Sequence, residues 1–204
     1  MALVKYNNNS ISSVTALGSL PAGGLNLITT NTISSGVSSS EFTSNINSTY
    51  DTYLFKCINM HHSATHENFR VNFSTDGGSN YNVTKTSSAF FAIHDEADTS
   101  TNLAYSGAGD LAQSTGEQEL SQGNGTENDQ CCSGELYLFS PSSTTFVKHY
   151  IAKFNGVHSG EQSLIQYTAG YCNTTSAINA VRFIYSGSAN IDSGIIKMFG
   201  LSKS

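Results

Sequence analysis

Three imidazoles, His61, His62 and His66, follow closely on one apolar stretch. A ring nitrogen is a good ligand for a transition metal, so such a group can in principle hold one. Glu67 is the only carboxylate beside them, and no cysteine or further histidine stands at a convincing metal-ligand offset. A solvated turn is the expected reading. A threefold axis gathering three copies of one of these histidines would shift that balance. Asp95, Glu96 and Asp98 follow His94 and offer hard oxygen ligands of the kind calcium takes. Their spacing departs from an EF-hand loop. His94 and Asp95 would point to opposite faces of a persisting strand, so a cooperating base pair is not expected from them. Ser74, Asp76, Gly77, Gly78 and Tyr81 form the pattern Ser-x-Asp-x-Gly-x-x-aromatic of an Asp-box. Asp76 can accept hydrogen bonds from the turn's own amides, the two glycines can supply positive φ, and Tyr81 can pack back on the strand. A sialidase-like site would need three arginines, and the chain has only Arg70 and Arg182. A propeller would also repeat the motif in every blade. These residues are therefore read as a hairpin turn.

No nucleophile elbow, phosphate-binding glycine-rich loop or His-Glu-x-x-His pattern occurs. No enzyme activity and no cofactor are expected. Cys57, Cys131, Cys132 and Cys172 show no metal-type spacing, and reduced thiols are the simple reading. Charged residues make up only 12% of the chain, half the usual share of about 25%. Serine, threonine and asparagine together number 71 of 204 residues, so uncharged groups do most of the solvating. Little Coulombic repulsion then opposes contact between identical subunits. A net charge of −6 argues against a nucleic-acid partner. No apolar run approaches the ~18 residues of a membrane span, and the start does not read as a signal peptide.

The elements that must position these groups read as strands. From Tyr50 onward the apolar period is two, most cleanly in Phe69-Arg-Val-Asn-Phe73. Further strands are expected at 88–93, 134–140, 145–155, 164–171, 177–185 and 194–201. They are rich in β-branched and aromatic residues and are punctuated by Gly, Asn, Asp and Ser. No sustained helical period appears. The expectation is an all-β, antiparallel β-sandwich of jelly-roll type, with about eight to ten strands. Residues 1–30 read as an extended arm with a short strand at its end, and 31–204 as the sandwich. Leu3, Val4, Tyr6, Ile11, Val14, Leu17 and Leu20 would anchor the arm on a neighbour. Between about 95 and 130 the alternation lapses. No Lys or Arg occurs from Thr86 to Val147, whereas nine of the fifteen carboxylates do. That stretch reads as an exposed acidic excursion.

Several phrases carry a family resemblance. They are Ser48-Thr-Tyr-Asp-Thr-Tyr-Leu-Phe55, the Asp-box extended to Thr84, Asp110-Leu-Ala-Gln-Ser-Thr115, and the run from Gly134 to His149. Ala169-Gly-Tyr-Cys-Asn-Thr-Thr-Ser-Ala177, Gly194-Ile-Ile-Lys-Met-Phe-Gly200 and Ser19-Leu-Pro-Ala-Gly23 complete the set. The chain resembles a family of small structural proteins of tailed, especially marine, bacteriophages. Cys131-Cys132 and His61-His62 depart from its pattern. The resemblance implies a virion protein made in the host cytoplasm, of capsid decoration (cement) type. Its partners would be copies of itself, as a homo-oligomer such as a trimer, and the major capsid protein. The alternative is a tail-fibre or adhesin module that binds a host glycan or protein through loop aromatics such as Tyr105 and Tyr167.

Overall fold

The structure is a computed structural model that describes residues 24–201. The arm residues Leu3 to Leu20 lie outside the described residues. Twelve strands follow in chain order: β1 (Leu25–Ile33), β2 (Ser40–Phe42), β3 (Thr52–His62), β4 (Glu67–Ser74), β5 (Lys85–Asp95), β6 (Thr101–Tyr105), β7 (Gln118–Asn124), β8 (Cys132–Phe139), β9 (Lys148–His158), β10 (Gln162–Cys172), β11 (Ala180–Tyr185) and β12 (Ile191–Leu201). All pairings are antiparallel. Eight strands run in the order β1-β12-β3-β8-β9-β10-β5-β6, and four in the order β7-β4-β11-β2. One rung, Asn124↔His158, joins the short sheet to the long one. The all-β antiparallel sandwich expected from the alternation is the fold the chain adopts, with the two sheets unequal in size.

The core lies between the sheets and is aromatic. From the short sheet come Phe42, Phe69, Phe73 and Phe183, and from the long one Tyr53, Phe55, Tyr150 and Phe154, each almost fully buried. Rings meet across the layers: Phe42 lies 5.3 Å from Phe55, Phe69 5.7 Å from Phe154, and Phe73 5.3 Å from Tyr150. Each such pair adds about 0.5–1.5 kcal/mol to the burial of its area. The period-two pattern makes this possible, because alternate residues of β4 and β11 all face inward.

At one end the interior is polar. Lys85, Cys172 and Lys148 stand side by side across β5, β10 and β9, and all three are buried. Lys85 Nζ donates to Asn72 Oδ1 at 2.6 Å and to the Val83 carbonyl at 2.7 Å. Lys148 Nζ donates to the Thr174 carbonyl at 3.1 Å. Burial pulls the Lys85 ammonium down to about 8. Burial also pushes the Cys172 thiol up to about 12, against the opposing pull of the two lysines. The row is satisfied internally, as a buried charge must be.

Three expectations require correction. Residue 30 falls inside β1, so the last stretch assigned to the arm is an edge strand of the sandwich, paired with β12. The acidic excursion at 95–130 is not a single exposed loop. It contains β6 and β7, and β7 is one of the most buried strands in the molecule. Its polar residues are paired: Gln118 Nε2 donates to the Gly109 carbonyl at 2.7 Å, and Gln118 Oε1 accepts from the Tyr150 hydroxyl at 2.7 Å. Buried Glu119 accepts from Asn68 Nδ2 at 2.5 Å and from Gln166 Nε2 at 3.3 Å, and desolvation raises its pKa. Finally, the Asp-box is not a hairpin. It leads from β4 in the short sheet to β5 in the long one, and these two strands do not pair.

Candidate functional site

Among the described residues, those singled out from the sequence have definite environments. In the Asp-box, Ser74 Oγ donates to Asp76 Oδ1 at 2.6 Å. Asp76 also accepts from the Asn80 amide at 2.9 Å and from Asn80 Nδ2 at 2.7 Å. These donors, Ser74 foremost, hold the Asp76 carboxyl down at about 2. Gly77 and Gly78 take φ of 75° and 93°, as the turn requires. Tyr81 packs not on its own strand but under Arg182 of β11, whose guanidinium carbon sits 4.4 Å from the ring centre. Asp95 is likewise consumed by a turn. It accepts from Thr99 N and Ser100 N at 2.8 Å and from Thr99 Oγ1 at 2.5 Å, which together lower its pKa. Asp98 turns back to His94 at 3.1 Å.

The histidines do not converge. His61 and His62 belong to β3, not to a turn, and only His66 lies beyond it. His62 is buried, lies tilted against Tyr185 with ring centres 4.3 Å apart, and meets the Asn124 carbonyl through Nε2 at 3.1 Å. His66 Nδ1 meets Ser159 Oγ at 2.6 Å, and its ring lies 5.0 Å from that of His158. The Gly160 amide donates to His158 Nδ1 at 3.1 Å. A neutral His158 then carries its proton on Nε2, which leaves no lone pair there for a metal. Among the described residues no group of three or more His, Cys, Asp or Glu is placed to hold an ion.

A cleft of about 430 Å³ brings together His61, Asp192 and Cys131, a constellation that sequence spacing could not reveal. His61 Nδ1 lies 2.7 Å from Asp192 Oδ1, and Nε2 lies 3.2 Å from the Glu127 carbonyl. Both ring nitrogens thus face oxygen atoms of other residues. Neither nitrogen is paired with the Cys131 thiol, and partial burial pushes that thiol upward. A cysteine nucleophile needs the reverse on both counts.

The surface that stands out is the outer face of β6-β5-β10-β9. The strand register places Tyr105 and Phe90 directly opposite one another, Phe90 opposite Tyr167, Leu103 opposite Ala92, and Ala169 opposite Ile151. All of these point away from the core. Leu103 and Tyr105 are 73% and 61% exposed, and Phe90, Ile151 and Tyr167 are also exposed. Phe90 and Tyr167 stack with centroids 5.0 Å apart and planes within 11°. A shallow groove of about 200 Å³ runs beside them against Ile151. Tyr105 and Tyr167, expected on loops, stand on strands. At ~4.8 Å between strands and ~3.4 Å per residue, the face spans roughly 300–400 Å². That is the size of the largest apolar patch on a typical monomer, which is often functional.

No family model, no curated protein and no solved structure matches this chain.

Proposed function

We propose that the chain is a non-enzymatic structural subunit of a tailed-phage virion, a decoration or cement protein that stabilises the shell by contacts with its own copies and with the major capsid protein. The observation that carries this reading is the exposed apolar face of Leu103, Tyr105, Phe90, Tyr167 and Ile151. Area decides what kind of contact it serves. A free-standing interface buries ~800 Å² on each partner, about twice this face. A contact of this size works when it is repeated, as on a shell where many weak contacts sum. A trimer on a threefold position of a capsid meets that condition. The test is a full-length Phe90→Ser/Leu103→Ser variant. It is expected to fold, because both side chains lie outside the core, and to be lost from purified particles. Wild-type incorporation of the folded variant would end the proposal.

A tail-fibre or adhesin module remains the second reading, favoured by Tyr105 and Tyr167 flanking Phe90 on one face. Copy number per particle separates the two: a shell protein scales with capsomers, a tail protein with tails.

A further inference from the structure

Both arginines of the chain line one cleft. Arg70 on β4 and Arg182 on β11 border a hollow of about 400 Å³ on the outer side of the short sheet, away from the core. The register pairs Arg70 with Ile184 and Arg182 with Asn72, so the two arginines are diagonal neighbours. Diagonal Cβ atoms of this kind are ~7–8 Å apart, close enough for two guanidiniums to reach one carboxylate. The two are unequally occupied. Arg182 is pinned over Tyr81 and lies 3.7 Å from Glu117, its ion-pair partner. The Arg70 side chain makes no hydrogen bond and no ion pair within 4 Å among the described residues, although it stands opposite Glu119 in the β4–β7 register and the two charges attract. The opposite wall is the β11–β12 turn, in which Gly187 and Ser188 take φ of 60° and 64° and Ala189 N donates to the Ser186 carbonyl at 3.0 Å. Ser38 and Ser188 add hydroxyls to the lining. In a chain with only nine basic residues and a net charge of −6, two guanidiniums on one cleft are the exception, with Glu117 on the lining and Glu41 and Glu119 opposite Arg182 and Arg70 in the strand register.

We infer that this cleft binds a carboxylated sugar. Arg70 takes the carboxylate in its two-pronged fork, the recognition geometry that guanidinium provides and ammonium does not. Arg182, held by Tyr81 and Glu117, borders the same anion. Glu117 and the serine hydroxyls face the ring hydroxyls, which need acceptors and donors in turn. The cavity has the volume of a small-ligand site. It lies on the sheet opposite the exposed aromatic face, so a subunit docked through that face would leave the cleft open outward. The inference does not rest on the assembly reading, because ligand binding is measured on the free chain.

The test uses the full chain and measured binding, by calorimetry and saturation-transfer NMR, of methyl glucuronide and methyl sialoside. Methyl glucoside, acetate and N-acetylglycylglycine serve as comparison ligands. The acidic glycosides are expected to saturate in the millimolar range and to bind at least tenfold more tightly than the neutral glucoside. Arg70→Ala should weaken them at least tenfold, Arg70→Lys should restore part of the loss, and both variants should keep the wild-type circular-dichroism spectrum. Three results would overturn the inference: equal binding of neutral and acidic glycosides, undiminished binding by folded Arg70→Ala, or no saturable binding of either acidic glycoside. Tighter binding of acetate or the dipeptide would show that the cleft recognises a bare or peptide carboxylate, and would remove the sugar assignment.

Discussion

Cys131 is the one cysteine of four that is not buried. Burial lifts Cys132 and Cys172 to about 12 and Cys57 well above the usual thiol range. The native protein should therefore consume a single equivalent of a thiol reagent, and four after denaturation, with Cys131→Ser abolishing the native reaction. Chromogenic thiol titration checks this. Two other residues tie stability to pH. Burial lowers the pKa of His62, and burial together with His66 lowers that of His158. A histidine depressed in the folded state keeps its neutral form there, while the unfolded chain takes up protons first as pH falls below about 6.5. The stability contribution is thus present above pH ~6.5 and is lost on acidification toward the folded-state values. The urea midpoint should fall between pH 7 and pH 5. His62→Phe, which keeps the contact with Tyr185 but cannot titrate, should flatten the slope. The sequence grouped His62 with His61 and His66 as a solvated turn and marked nothing at His158, because what perturbs both is burial by strands distant in the chain.

Among the elements, β11 carries the most concentrated load. Phe183 touches Phe42, Phe55 and Phe69, rings from three other strands. Phe183→Ala should cost about 3–5 kcal/mol, read as a lowered urea midpoint. All twelve described strands lie at or beyond Leu25, so removing residues 1–20 should leave the β-type circular-dichroism spectrum in place. Removing residues 1–33 takes β1 away and bares the edge of β12, and that truncation should aggregate. The strands readable in the sequence were those whose alternation is apolar against polar, such as β4, where Phe69, Val71 and Phe73 leave little choice. β2, β6 and β7 were not readable. β2 is three residues long, and β7 buries Gln118, Glu119 and Ser121 through side-chain hydrogen bonds that no hydrophobicity pattern encodes. The arginine cleft was invisible for a related reason. Arg70 and Arg182 are far apart in the chain and meet only because β4 and β11 pair. Only their scarcity could have flagged them.

For the molecule as a whole, low charge governs how it meets other surfaces. Association through the outer face is expected to persist or tighten as salt is raised toward 1 M, since apolar contact is not screened as ion pairs are. Sedimentation velocity across a salt series measures this, and dissociation at high salt would contradict it. One further property follows from the way the halves are joined. Among the described strands, pairing crosses between the sheets at Asn124↔His158 alone, so their cohesion is a matter of interlocked rings and buried side-chain hydrogen bonds rather than of shared backbone ladders. A mild destabilising solvent can then part the halves like the covers of a book while each page keeps its weave. The near-ultraviolet dichroism of the tyrosines should fade before the far-ultraviolet β signal does.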